Sequence, residues 1–263
     1  MIIDMHVHIF KDSIAKKAHA KLTGTAQIPC YTDLTEQTTR QKLDEWGVGL
    51  GVVLPIATKP SQQAVINDWA KTVQHGNLIC FGTVHPNASD ALSVLDTIKE
   101  YGFYGVKLHP DYQDFFPDEE KYFPLYEKTI ALDLPVSFHA GFDPVSPDVI
   151  HASPERIRNV IKTFPDLKLI AAHLGGHMQY DEAEKYIVGL DTFIDISMAP
   201  PTCPQDQFER IIKNHGIEKV LFGSDCPWTF PDMELDMLRK AHLTQDEMDQ
   251  ILYKNAQKLL KLG

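Results

Sequence analysis

Eight short apolar runs recur along the chain, each closed by a glycine, a proline or a polar break: 2–10, 49–57, 78–86, 105–110, 135–141, 168–176, 193–200 and 219–228. Each is too short for a typical helix and rich in Val, Ile, Leu or Phe, so each reads as a buried strand. Stretches with helical spacing lie between them, at 60–76, 89–101, 121–132, 154–164 and 205–215. Strands that alternate with helices pair in parallel, because a parallel pair needs a long crossover. Eight such repeats make either an open doubly wound sheet or a closed barrel, and periodicity alone does not choose. No GxGxxG or GxxxxGK[ST] motif follows the first run, which removes the usual nucleotide-binding reason for the open sheet. The length of 263 residues suits a barrel of about 250. The expected fold is therefore α/β: a single (β/α)8 TIM barrel spanning 1–263, with a C-terminal helix packed on the body.

That last helix announces itself. Thr244-Gln245-Asp246-Glu247 is a capping box, and the apolar positions Met248, Ile251, Leu252, Leu259 and Leu260 that follow are roughly helix-spaced out to about Leu262. Ser153 before Pro154 reads as an N-cap with proline at the first helical position. The two longest connections, 11–34 and 111–120, follow strands and belong at the same mouth.

Composition narrows the partners. A formal net charge of −11, with no Lys/Arg cluster, argues against nucleic acid, which needs a concentrated basic footprint. The opening MIIDMHVHIF has no basic segment and no long apolar stretch, so it reads as the start of the fold. No segment approaches the ~20 apolar residues of a membrane span. Cys30, Cys80, Cys203 and Cys226 are far apart and form no CxxC pair, as expected of reduced thiols in a cytoplasmic protein.

The chemistry gathers at the ends of the runs. The first carries Asp4, His6 and His8. Side chains at i and i+2 of a strand share a face, so the three are expected to project together. His109 ends GVKLHP, His139 ends PVSFHAG, His173 ends IAAHLGG and Asp225 ends LFGSDCPW. In a closed parallel barrel all these positions meet at one rim, where barrel enzymes build their sites. Scattered structural histidines have no reason to choose that end repeatedly.

This pattern, an HxH on the first strand, a histidine on the fifth and sixth and an aspartate on the eighth, resembles the amidohydrolase superfamily. The phrases from DMHVHIF to LFGSDCPW and NAQKLL are most similar to its amidohydrolase-2 group, which includes aminocarboxymuconate semialdehyde decarboxylase. The resemblance implies a ligand set of His6, His8, His139 and Asp225, with His173 as the acid/base. It also implies a homodimer, for which no interface signature is visible. Imidazoles plus one carboxylate suit Zn²⁺, or else Mn²⁺ or Fe²⁺, better than Ca²⁺ or Mg²⁺. A divalent cation with an open position lowers the pKa of its water to about 7. Asp225 would bind the cation with one oxygen and take the water's proton with the other, while His173 orients the water or polarises a carbonyl. Binuclear relatives carry a carboxylated lysine or a glutamate on the fourth strand; GVKLHP offers no glutamate, so one metal is expected.

His109, Lys107, Tyr112 and Trp228 are the expected substrate contacts. Lys107 serves either as an anion contact or as a buried charge paired with a carboxylate such as Asp4. Two reactions use nearly the same residues: hydrolysis of a small ester, lactone or amide-like substrate, and non-oxidative decarboxylation of a small unsaturated or aromatic acid. A decarboxylase needs a cation for the leaving carboxylate. None of the five arginines, Arg40, Arg156, Arg158, Arg210 and Arg239, ends a run, which favours hydrolysis. A non-catalytic metal-binding barrel is the third reading.

Overall fold

The computed structural model describes residues 1–200 and 202–262. Every expected run contains a strand: β1 (Ile3–Val7), β2 (Leu50–Val53), β3 (Leu78–Cys80), β4 (Gly82–Thr83), β5 (Val106–Leu108), β6 (Val136–Phe138), β7 (Leu169–Ala171), β8 (Phe193–Asp195) and β9 (Val220–Leu221). They pair in parallel, in the orders β1-β2-β3 and β4-β5-β6-β7-β8-β9. Segments β3 and β4 are one strand passed from neighbour to neighbour. The Phe81 N–H donates to the Val53 carbonyl at 3.0 Å, and the Gly82 N–H to the Gly105 carbonyl at 2.8 Å.

The ring closes between the first and last strands. The Met5 N–H donates to the Phe222 carbonyl at 2.9 Å, the Asp225 N–H to the His6 carbonyl at 2.9 Å, and the His8 N–H to the Cys226 carbonyl at 2.6 Å. The ladders are shorter than the apolar runs because the tail of each run lies beyond its ladder. His8, His109, His139, His173 and Asp225 all sit in those tails, on the C-terminal side.

The floor is sealed by the last helical segment. Its capping box is formed: the Thr244 N–H donates to Glu247 Oε2 at 2.7 Å and the Glu247 N–H to Thr244 Oγ1 at 3.3 Å. The helix is not uniform, since a π-turn at Gln250–Lys254 separates Gln245–Asp249 from Asn255–Leu260. The Ile251 carbonyl of that turn accepts the Phe222 N–H at 3.0 Å, beside the seam where β9 meets β1. Ala256, Leu259 and Leu260 pack with Ile3, Val52, Phe81 and Leu221 from the strands.

Some expectations need correction. Connection 11–34 contains the helix Asp12–Ala26, which buries only Ala15 and so leaves no helical apolar stripe to read. Ser153 precedes Pro154 as expected but makes no capping hydrogen bond. Asp4 does not share a face with His6 and His8. A register shift between Asp4 and Val7 breaks the alternation of β1, and the Asp4 carboxylate bonds to Ser224 instead. No helix among the described residues is long and apolar enough to cross a membrane.

Candidate metal centre

His6 Nε2, His8 Nε2 and Asp225 Oδ1 converge. The two nitrogens are 3.2 Å apart and lie 3.3 and 3.1 Å from the carboxylate oxygen. The other ring nitrogens fix the tautomers. His6 Nδ1–H donates to Asp195 Oδ2 at 2.9 Å, and His8 Nδ1–H to the Leu54 carbonyl at 3.0 Å. Both Nε2 atoms therefore present lone pairs to one point, as metal-binding histidines do when the far nitrogen is engaged. Asp225 Oδ1 is buried and has no hydrogen-bond partner. Three lone pairs at this spacing repel one another, and a divalent cation is what such a donor set fits.

Asp195, at the end of β8, organises the neighbours and was not singled out in the sequence. Its Oδ1 accepts the His173 N–H at 3.0 Å, the Ser197 N–H at 3.1 Å and the Ser197 hydroxyl. Ser197 Oγ in turn lies 2.9 Å from His173 Nδ1, which places the His173 proton on Nδ1 and leaves its Nε2 as acceptor. His139 Nδ1–H then donates to His173 Nε2 at 3.1 Å, so His139 Nε2 also carries a lone pair. That nitrogen is buried and unpartnered. It does not join the His6, His8 and Asp225 atoms within 4.8 Å; it groups with His109 and Asp143. The His139 ring stacks on the His109 ring at 4.3 Å and 9°.

His109 is committed differently. Its Nδ1 accepts the Tyr112 N–H at 3.4 Å, so the ring proton is on Nε2, 3.6 Å from Asp143 Oδ2. That makes His109 a donor suited to a substrate oxygen. Tyr112 stacks on it at 3.7 Å. Tyr112 and Trp228 line a cavity of about 60 Å³ above the cluster together with His109, His139, His173 and Asp225, under Leu22 and Ala26 of the helix Asp12–Ala26. A second cavity, of about 420 Å³, opens beside His8 between Phe10, Ile14, Leu54, Ile66 and Trp69.

Lys107 is fully buried, and its Nζ lies 3.4 Å from His6 Nε2. No carboxylate lies within salt-bridge distance of it among the described residues, so the pairing with Asp4 is not made. Burial lowers its pKa to about 8, opposed by Asp195 and Asp225. Burial and Lys107 lower His6 to about 4, and burial first, then neighbouring charges, holds His109 and His139 well below the usual histidine range. These rings are neutral, as ligands must be. Burial is the largest influence on Asp195 and Asp225 and pushes both up, but the lowering contacts together outweigh it, from His6, His173 and Ser197 at Asp195 and from His6, His8 and His173 at Asp225, so both stay well below the usual carboxylate range. Asp4 is pushed up by burial to about 7, against its hydrogen bonds to Ser224 and His6. None of the five arginines reaches the site: Arg40, Arg156, Arg210 and Arg239 bond to partners outside the cluster, and Arg158 lies over the Tyr186 ring.

Solved structures share this fold. An uncharacterised TIM-barrel protein from Bordetella bronchiseptica matches at TM-score 0.78 and 18% identity, covering 99% of this chain and 98% of that one. A dihydroxybenzoic acid decarboxylase from Polaromonas sp. JS666, with bound manganese and the inhibitor 2-nitroresorcinol, matches at 0.75 and 16%, covering 99% and 97%. A probable 2-pyrone-4,6-dicarboxylic acid hydrolase from Acinetobacter baumannii, with citric acid bound, matches at 0.68 and 18%, covering 99% of each chain. No curated relative matches. The family model described as amidohydrolase matches residues 3–262. The chain therefore belongs to the amidohydrolase family of metal-dependent enzymes, whose structural neighbours here include both decarboxylases and hydrolases.

Proposed function

We propose that this protein is a metal-dependent hydrolase of a small ester, lactone or amide-like substrate. The observation that carries the reading is the convergence of His6, His8 and Asp225 donor atoms around a buried carboxylate oxygen without a hydrogen bond. Those three residues would hold one divalent cation, with His139 as the remaining donor of the set; Zn²⁺ suits the ligands best, and Mn²⁺ or Fe²⁺ are alternatives. When bound, the cation supplies Lewis-acid activation of water or of a substrate oxygen.

The chain's own residues supply the rest. Asp225 takes a proton from the attacking water. That proton passes from Asp225 to the leaving group through Nε2 of His173, whose own Nδ1 proton stays held against Ser197 and Asp195. His109 donates from Nε2 to a substrate oxygen, and Tyr112 and Trp228 wall the cavity of about 60 Å³ over the cluster. The apolar cavity of about 420 Å³ beside His8 is of the size that small-molecule sites have, which supports a small-molecule substrate.

A second reading is non-oxidative decarboxylation of a small unsaturated or aromatic acid. Lys107 favours it, because this buried ammonium beside His6 supplies the carboxylate-binding cation that the arginines do not. Product analysis on metal-loaded protein separates the two. Turnover of esters or lactones to acids without gas release is expected. Metal-dependent CO2 release from an aromatic acid, with no ester or lactone turnover, would reverse the order.

A further inference from the structure

We infer that Asp4, two residues before the first proposed ligand on β1, is the positioning residue that sets the distance between the two halves of the metal centre. The inference rests on the reading of His6, His8 and Asp225 as metal ligands. These ligands come from opposite ends of the chain, His6 from β1, His8 from just after it and Asp225 from the loop after β9. One carboxylate oxygen joins them. Asp4 Oδ1 accepts the His6 N–H at 3.0 Å and the Ser224 N–H at 2.9 Å. Asp4 Oδ2 bonds to the Ser224 hydroxyl, and Ser224 Oγ accepts the Cys226 N–H at 3.0 Å.

The Asp225 N–H donates to the His6 carbonyl at 2.9 Å. Every backbone N–H of 224–226 is thus held by Asp4, by Ser224 under the control of Asp4, or by His6, whose own N–H is held by Asp4. Asp225 needs that restraint. Its φ of 66° lies in the left-handed region that costs a non-glycine residue energy unless its surroundings impose it. Behind the turn, Thr229 bonds the Ser224 carbonyl and lies 2.8 Å from Glu234 Oε1, which gives the loop a second anchor on the helix Pro231–Lys240. Asp4, Ser224 and Glu234 are all fully buried, so water cannot replace a lost bond.

The test measures Zn²⁺ affinity by competition with a chromophoric chelator in wild type, Asp4→Ala, Asp4→Asn and Ser224→Ala, alongside circular dichroism and thermal melting of each metal-free protein. Partners that orient metal ligands typically account for 10–100-fold in affinity. Asp4→Ala is expected to lose that much while keeping its fold. Asp4→Asn retains a carbonyl oxygen for the two N–H donors and is expected to stay within several-fold of wild type, with Ser224→Ala in between. Zn²⁺ affinity unchanged in Asp4→Ala, with only the melting temperature lowered, would make Asp4 a packing residue and overturn the inference. If Asp4→Ala does not fold, Ser224→Ala decides: affinity equal to wild type overturns the inference, and a weakened one supports it. Wild type that binds no more zinc than a His6→Ala/His8→Ala protein would sink the metal reading itself, a different result from either.

Discussion

Lys107 is the residue whose surroundings ask most of it: a fully buried ammonium with a histidine nitrogen as its nearest polar neighbour and its pKa lowered to about 8. An unfolded lysine titrates near 10.4. Between those values the unfolded chain binds more protons, so stability rises with pH across that window and the penalty is fully present below it. In metal-free protein, Lys107→Met is therefore expected to be more stable than wild type at pH 7, by up to about 3 kcal/mol. The gap should narrow from about pH 8 to pH 10. Urea midpoints at pH 7, 8.5 and 10 measure it; a gap independent of pH would mean the ammonium carries no such penalty. Asp195 makes the opposite case, a carboxylate saturated with donors. Asp195→Ala releases His6 Nδ1 and the Ser197–His173 chain together, and should weaken metal binding 10–100-fold by chelator competition. The sequence singled out His6 and His8 by their i, i+2 spacing on the first run, and His139, His173 and Asp225 because each stands at the end of a run beside a glycine or proline break. It hid Asp195, whose run FIDIS reads as an ordinary apolar strand; a carboxylate inside that run was the available signal. It also misled about Asp4, because a bulge leaves no mark in an alternating pattern.

Elements were legible where an apolar pattern and a boundary signal agreed. All eight runs hold strands, and 205–215 is the observed helix Gln205–His215 to the residue. The helix Asp12–Ala26 was not, because a helix lying over a mouth with one buried residue has no stripe to show. Loops at the mouth depend on backbone geometry that periodicity does not encode. Gly141, after β6, is the clearest instance. It sits at φ 90°, and a Cβ there would lie 2.2 Å from the His177 nitrogen and 2.5 Å from its carbonyl oxygen. The segment is pinned by the Gly141 N–H to the Ala152 carbonyl at 2.9 Å and the His177 N–H to the Ala140 carbonyl at 2.8 Å. Gly141→Ala must break this pairing and carries left-handed strain as well, so a loss of about 3 kcal/mol or more is expected in denaturant melts. Because His139 and His177 flank the segment, metal affinity should fall with it. Stability within 0.5 kcal/mol of wild type would show that the two segments separate freely.

At the scale of the whole molecule, the barrel makes the first and last strands neighbours, and the metal centre straddles that seam. His6 and His8 stand on one side of it, Asp225 on the other, and backbone hydrogen bonds and the Asp4 bridge join them. A cation bound across the seam would tie the chain's ends and stabilise the folded state by mass action. At a free metal concentration 1,000 times its Kd the gain is about 4 kcal/mol. For a domain of this size each kcal/mol shifts the melting temperature by roughly 2–4 °C, so chelation should lower it by about 8–16 °C. The change should reverse on adding Zn²⁺ or Mn²⁺, and the shift with metal concentration gives the Kd without any knowledge of the substrate. His6→Ala/His8→Ala should melt at the same temperature with and without chelator. Ser197→Ala, which removes the Ser197 hydroxyl from His173, Asp195 and His6 Nδ1 but leaves the His6–Asp195 bond in place, should keep most of the metal response. A wild-type melting temperature indifferent to chelator and to added metal, in protein shown to be folded, would mean that the seam is closed by the polypeptide alone.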